Sequence, residues 1–462
     1  MSDLRERIAR LSPEARARLE AALISRRADR VSDGEIAPRS ARDQPVPLSF
    51  GQERLWFLHQ LDPRSPLHNL PWAVRLRGPL DRAALQRALD VLLARHEVLR
   101  TRFAFHDGAP VQLVTPLPAS VPLTTIDLRA APLATRDADL ERHLRAEAAR
   151  PFDLARDLLF RATVLELAPD DATLLLVTHH IAADGWSLGI LFDELAAVYE
   201  ALSRDHPSPL PELPLQYADY ALWQRHTLQG PVLKASLTYW TQQLTGVPPF
   251  LDLPTDRPRP PAQTYRGARH PLVLPAPIAA DLHALSRRHG VTLFMALLAA
   301  FQTLLHRVSG QTDIVVASPI AGRIRRELEP LVGIFVNTLA LRTSLADDPS
   351  FGTLLARVRQ ISLAAFEHQS VPFERIVEEL RPARSLGHAP LAQVMFVLQN
   401  TAPVSLSLPG LTATPVATDT GASEFDLALF LRDTPDGLRG VWQYNSDLFD
   451  APTIARLAGH FR

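Results

Sequence analysis

Two proline-dense segments constrain the fold of this chain more than any other feature. Residues 207–214 and 247–261, the second reading VPPFLDLPTDRPRPP, sit near the middle of a 462-residue sequence. Proline lacks the amide proton and crowds the preceding turn, so such stretches neither continue a helix nor pair inside a sheet. They mark a crossover, and the chain on each side has to close a core of its own. The length agrees, because domains cluster near roughly 100–200 residues. Two or three lobes are expected, in a chain whose 46% hydrophobic and 21% charged residues are those of a globular protein.

Strand and helix patterns alternate on both sides of the crossover. In the first half, 72–76, 161–167 and 173–178 read as strands. Leu174, Leu175, Leu176 and Val177 form an unbroken apolar run, the mark of a strand buried on both faces. Leu85, Leu89, Leu92 and Leu93 space an amphipathic helix over 81–98. Asp107-Gly108 turns a hairpin between 101–105 and 111–114, and helices are expected over 137–149 and 191–202. In the second half, helices over 278–289 (stopped by Gly290) and 293–308 precede strands over 314–317, 334–342 and 393–398. A hairpin of 425–432 with 438–444 follows, and a helical pattern over 451–462 runs to the last residue, as in a piece of a longer polypeptide. Ser12 and Pro13 start a short N-terminal helix that runs to about Arg27. The expected organisation is therefore helix and linker over 1–47, an N-terminal lobe over 48–225, a connector over 226–266 and a C-terminal lobe over 267–462.

Composition narrows the chemistry. Without cysteine there is no disulfide, thiolate metal site or cysteine nucleophile. Forty-nine basic and 50 acidic residues, net charge −1, speak against a nucleic-acid partner. Lys234 is the single lysine, so the arginine excess reads as coding bias. The N-terminus lacks a signal-peptide pattern and the apolar segment 291–305 is too short to span a bilayer. A cytoplasmic protein without a membrane partner is expected.

The sharpest local constellation is His179-His180-Ile181-Ala182-Ala183-Asp184-Gly185, between the buried strand and a helix. Adjacent residues on extended backbone point to opposite sides, so one histidine alone can face a given cavity. The same geometry disfavours a metal shared by His179, His180 and Asp184. His180 is the candidate general base, Asp184 the residue that orients the loop through an ion pair, and Gly185 the source of an open backbone N–H for a developing oxyanion. Both histidines could equally be core residues with satisfied ring nitrogens. Gly185-Trp186-Ser187-Leu188-Gly189 also matches the nucleophile elbow of α/β-hydrolases, which would make Ser187 the nucleophile of a thioesterase. The elbow should follow its strand directly, yet six residues intervene here.

The chain resembles the condensation domains of nonribosomal peptide synthetases, in the chloramphenicol-acetyltransferase-like superfamily. His179-His180-x-x-x-Asp184-Gly185 is similar to that family's signature. Ser49–Trp56 (SFGQERLW) resembles the first family motif, with Gly51 where alanine is usual. RHEVLRTRF (95–103) resembles the second, YADYALWQ (217–224) the fourth, VGIFVNT (332–338) the fifth and HQSVPFE (368–374) the sixth. Residues 381–396 resemble the seventh, keeping Arg384 but with Ala392 for a usual phenylalanine. The resemblance implies two chloramphenicol-acetyltransferase-like α/β lobes in a V with a tunnel between them. It implies amide-bond formation between an acyl or peptidyl thioester and an aminoacyl thioester, each on the phosphopantetheine arm of a carrier protein. The chain itself would bind no cofactor and would act as a monomeric unit beside donor and acceptor carrier domains and a neighbouring adenylation domain.

Within that frame His180 either takes the amine's proton or positions the amine. Arg100 and Arg323 are both candidate partners of Asp184. Trp223 and Asn337 either pack structurally or line the substrate channel. The leading histidine disfavours the cyclising subtype, and joining of two L-configured partners is expected. A serine thioesterase and a degenerate platform that recruits another enzyme are the alternatives.

Overall fold

The structure, a computed structural model, describes residues 34–42, 44–383, 385–400 and 406–462. The expected helix from Ser12 to Arg27, and Arg384, lie outside the described residues.

The first lobe is built on a five-stranded sheet. Asn69–Arg77, Asp171–His179, Phe160–Ala168 and Leu123–Asp127 lie side by side in that order, with Thr412–Val416 on the outer edge of Asn69–Arg77. Residues 172–179 are all buried, as the apolar run requires of a central strand. Helix Arg82–Arg95 starts where the Asp81 carboxylate accepts from the Ala84 N–H at 2.9 Å, and buries Leu85, Leu89, Leu92 and Leu93. It packs against helix Gly185–Leu202, which leaves the end of the central strand. A small sheet of Val46–Pro47, Ala109–Val114 and Thr101–His106 completes this lobe.

The second lobe carries a six-stranded sheet in the order Asn337–Ser344, Asp313–Ile320, Val394–Gln399, Leu427–Thr434, Gly437–Asn445, Gly267–Pro275. Phe301 from helix Leu293–Ser309 lies 5.8 Å, centroid to centroid, from both Phe396 and Trp442 and centres its core. Gly310 (φ 72°) makes the left-handed cap of that helix, and Gly290 (φ 62°) caps the preceding helix Ala276–His289 as the sequence predicts. Among the described residues no single helix is long and apolar enough to cross a membrane.

The lobes are interlocked more deeply than a division at residue 267 implies. Besides Thr412–Val416, the second half sends Leu328, Leu331, Val332, Ile334, Phe335, Leu406 and Leu408 into the first lobe's core. The strand expected over 334–342 accordingly begins at Asn337, because Ile334 and Phe335 turn away to fill the other core. Two glycines permit the tight crossing. A Cβ on Gly322 (φ 66°) would fall 1.8 Å from the Phe335 carbonyl oxygen, and one on Gly333 would fall 1.9 Å from the Tyr217 ring.

Residues 34–42, expected as linker, also belong to the first lobe. Ile36 is buried in its core, and Arg39 inserts between Glu97 and Asp219, with Nη1 3.0 Å from Asp219 Oδ1 and Nη2 bonded to Glu97. All three side chains are at least 95% buried. Arg39→Ala leaves Asp219 without its cation, while Glu97 keeps Arg42 and the more distant Arg100, and is expected to cost about 3–5 kcal/mol in urea unfolding. Arg42→Ala, at a side chain 60% exposed that also touches Glu97, should cost under about 1 kcal/mol.

Candidate active site

The central strand of the first lobe ends at His179, and the alternation of extended backbone separates the two histidines. His179 points inward. It is 3% exposed, its Nδ1 accepts the Ile181 N–H at 3.1 Å, and its ring lies against those of Phe152, His68 and His59. Burial, reinforced by the neighbouring His68 and His59, pushes its pKa well below the ordinary value, so it is a neutral packing group.

His180 faces the other way and is partly exposed. Its backbone N–H donates to the His68 carbonyl at 2.7 Å, and its Nδ1 lies 2.9 Å from the Ala183 carbonyl oxygen. A carbonyl can only accept, so Nδ1 carries the proton and the neutral ring presents Nε2 as a lone pair. The loop thereby fixes the tautomer that a base requires.

Asp184 holds that loop. It is the N-cap of helix Gly185–Leu202 and 2% exposed. Its Oδ1 accepts from the Ser187 N–H at 2.8 Å and from Arg323 Nη2 at 3.2 Å, and its Oδ2 accepts from the Phe335 N–H at 3.0 Å. Arg323 is therefore its ion-pair partner. Arg100 is not: its guanidinium donates to the Thr115 carbonyl and sits 3.9 Å from Glu97, tying the small sheet to the turn before it. Arg323 also donates to the Leu331 carbonyl at 2.7 Å and stacks over Phe335, 4.1 Å from the ring centre. One ion pair thus joins the histidine loop of the first lobe to the 322–335 loop of the second half.

Ser187 has a different job from the nucleophile its motif suggested. It is fully buried, and its hydroxyl lies 2.7 Å from Asp184 Oδ1 and 2.9 Å from the Gly333 carbonyl, either of which takes its single proton. The oxygen accepts in turn from Arg323 Nη2 at 2.9 Å and Gly333 N–H at 3.1 Å. No imidazole among the described residues touches it. Gly185, close by, is exposed, and a Cβ added there would meet nothing within 4 Å. Neither φ nor packing within the chain calls for glycine at this helix start, which leaves room for a ligand to approach the first-turn N–H groups.

Between the lobes opens a cavity lined on one side by Gly51, Tyr220 and Trp223 and on the other by Val336, Asn337 and Glu374. The Trp223 indole N–H donates to the Gly34 carbonyl at 3.2 Å, so the N-terminal strap braces this wall. Asn337 commits its polar atoms to the protein: Nδ2 donates to Gln369 and Val371 carbonyls at 2.9 and 2.7 Å, and Oδ1 accepts from Thr338 and Phe373 N–H groups at 2.9 and 3.0 Å. It shapes the cavity and has no hydrogen-bonding capacity left for a ligand. Among the described residues no group of three His, Asp or Glu could hold a metal ion.

Sequence reasoning passed over His68, whose carbonyl accepts the His180 N–H. Burial drives its pKa down from 6.5 to about 4. The unfolded chain therefore binds a proton more readily than the folded one. The stability this contributes is complete above about pH 6.5 and is lost as pH falls toward 4, about 2 kcal/mol of it between pH 7 and 5. Urea unfolding of His68→Gln should show a shallower loss over that interval than the parent. Asp184→Ala, which leaves Arg323 buried without its carboxylate, should lower stability by about 3–5 kcal/mol at pH 7.

The Condensation domain family profile matches residues 42–462. A linear gramicidin synthase polypeptide of Brevibacillus parabrevis is 49% identical over 95% of this chain, which spans 6% of that polypeptide's length. Among solved structures, the X-domain from teicoplanin biosynthesis superposes with a TM-score of 0.85 at 32% identity, over 93% of this chain and 95% of that one. The first condensation domain of the calcium-dependent antibiotic synthetase shares the fold, with a TM-score of 0.76 at 24% identity over 91% and 95% of the two chains. The two α/β lobes are thus chloramphenicol-acetyltransferase-like, and a match that runs across both of them, from the N-terminal strap to the last helix, makes this chain a member of the condensation-domain family of nonribosomal peptide synthetases.

Proposed function

We propose that the protein forms an amide bond between a donor acyl or peptidyl thioester and the α-amine of an acceptor aminoacyl thioester. Both substrates arrive on phosphopantetheine arms of carrier domains, upstream and downstream of this chain in a larger cytoplasmic synthetase that also holds an adenylation domain. The observation that carries the proposal is the tautomer of His180: with Nδ1–H given to Ala183, the neutral ring of this partly exposed side chain keeps its lone pair on Nε2, the form a base requires.

The chemistry is modest and the geometry does most of it. The amine attacks the thioester carbonyl, Nε2 takes a proton from the nitrogen, and the pantetheine thiolate leaves with a proton returned to it. Holding both reactants in line contributes about 7–11 kcal/mol in well-aligned systems, and a positioned base adds about 10²–10⁴ in rate. The helix start at Gly185 offers N–H groups to the tetrahedral oxyanion. No acyl-enzyme is needed, in keeping with a chain that has no cysteine and keeps Ser187 buried among Asp184, Arg323 and Gly333, to which its hydroxyl is hydrogen-bonded. A non-catalytic recruiting platform has no use for an imidazole held in the basic tautomer.

With donor- and acceptor-loaded carrier proteins, the parent chain should yield a dipeptidyl product, and His180→Ala should reduce its rate by about 10²–10⁴ with little change in unfolding midpoint. A serine-reactive phosphonate should leave Ser187 unlabelled by mass spectrometry. Labelling, or full activity of His180→Ala, would overturn condensation in favour of a serine hydrolase.

A further inference from the structure

Trp186 has no part in the mechanism above, yet it bridges the two halves of the site. It is the second residue of helix Gly185–Leu202, directly before the buried Ser187. Its indole N–H donates to the Glu329 carbonyl at 3.1 Å, on the 322–335 loop and 143 residues away in the chain. Indole has a single donor, so this bond fixes the orientation of the ring. The ring cannot swing out to solvent without giving it up.

What lies beneath the ring is the Arg323 guanidinium. Among the described residues two aromatic rings come within about 6 Å of that cation. Phe335 is 4.1 Å away at its ring centre and Trp186 5.8 Å. Phe335 is 3% exposed and belongs to the first lobe's core, so it forms the floor. Trp186 is 38% exposed and forms the solvent side. The exposed Gly185 beside it has no side chain to share that task. Between the two rings, the side chains of Arg323 and Asp184 are only 2% and 3% exposed.

Dryness has a consequence for the base. Opposite charges attract strongly in a low dielectric and weakly in water, where salt screens them further. Arg323 Nε is buried with no hydrogen-bond partner among the described residues. Water admitted there would bind this free donor and compete with Asp184 for the guanidinium. The Asp184 carboxylate holds the end of the loop whose Ala183 carbonyl fixes the His180 tautomer. A wetted ion pair therefore loosens the contact that keeps the proton on Nδ1.

We infer that Trp186 is a positioning residue, an indole cover that keeps water off the Asp184–Arg323 pair and so holds the Ala183 carbonyl on the His180 ring. The inference rests on the condensation reading and adds to it a group that never touches the reacting atoms. The cover acts through the ion pair, so its loss should slow the chemical step and leave substrate binding alone.

The test compares Trp186→Ala and Trp186→Phe with the parent chain by two readouts. In protein carrying isotopically labelled histidine, the ring-nitrogen shifts in NMR report which nitrogen of His180 bears the proton, with the signal assigned by its loss in His180→Ala. The parent should show the Nδ1–H form, unaffected by NaCl between about 0.05 and about 0.5 M. Trp186→Ala should show a mixture with Nε2–H that grows with salt. With small pantetheine thioesters as donor and acceptor, its kcat should fall by about tenfold to a hundredfold with both KM values unchanged. Trp186→Phe keeps a ring over the cation without the Glu329 bond, and should recover most of the rate and the parent tautomer. An unaltered, salt-insensitive Nδ1–H signal in Trp186→Ala would overturn the inference. A raised KM with that signal intact would replace the cover by direct substrate contact. Loss in Trp186→Phe equal to that in Trp186→Ala would assign the effect to the hydrogen bond and also overturn the cover. Absence of dipeptide from the parent would remove the condensation reading, while the tautomer signal still decides whether Trp186 holds the ring.

Discussion

The Asp184–Arg323 ion pair is the contact on which the site depends. It sits almost wholly out of water, and the Coulombic attraction of such a pair offsets its desolvation only when the remaining hydrogen bonds are met. Here most of them are met from both halves of the chain, by Ser187, Phe335, Leu328 and Leu331, while the buried Arg323 Nε has no partner among the described residues. The pair is also a position marker. Asp184 ends the loop whose Ala183 carbonyl fixes the His180 ring, so the imidazole is placed with the help of a contact made to the second half of the chain. Assembly of the fold and alignment of the imidazole are linked.

The site divides its labour between residues that face outward and residues that hold them there. His179, Ser187 and Asn337 all belong to recognisable motifs, and the hydrogen bonds they make go to protein groups. Their hydrogen bonds fix backbone segments that His180, Gly185 and the cavity wall need in register. A motif residue can be necessary for chemistry without touching a substrate, because positioning to within fractions of an ångström is itself a large part of catalysis in a reaction between two tethered groups.

Local rules made much of this legible in the sequence. The apolar run before His179 forecast a central strand, the leucine spacing forecast helix Arg82–Arg95, Gly290 ended another, and period-two alternation split the two histidines. What eluded the sequence were choices between distant partners of the same type. Arg323 and Arg100 are both arginines beside small or basic residues, and only the fold brings one of them, 139 residues away, onto Asp184. Arg54 and Glu424 are 370 residues apart and carry no spacing signal at all. The overlong strand assigned at 334–342 failed for a related reason: Ile334 and Phe335 suit a sheet, but the neighbouring core offered them deeper burial. Residues 34–42 were likewise polar enough to read as linker, because the burial of Arg39 is offset by carboxylates far away in the chain.

The edge strand Thr412–Val416 bears on how such a protein is made. It completes the first lobe's sheet by pairing with Asn69–Arg77, across more than 330 residues of intervening chain. During synthesis that first sheet has to wait with an open edge, a template for the wrong neighbour, until residues 412–416 have emerged from the ribosome. The same crossing sets a rule for exchanging parts between relatives. A cut in the proline-rich connector looks clean in the sequence, yet it would give one parent's sheet the other parent's border strand. Hybrids that carry residues 406–416 along with the first lobe they complete would keep the native pairing intact.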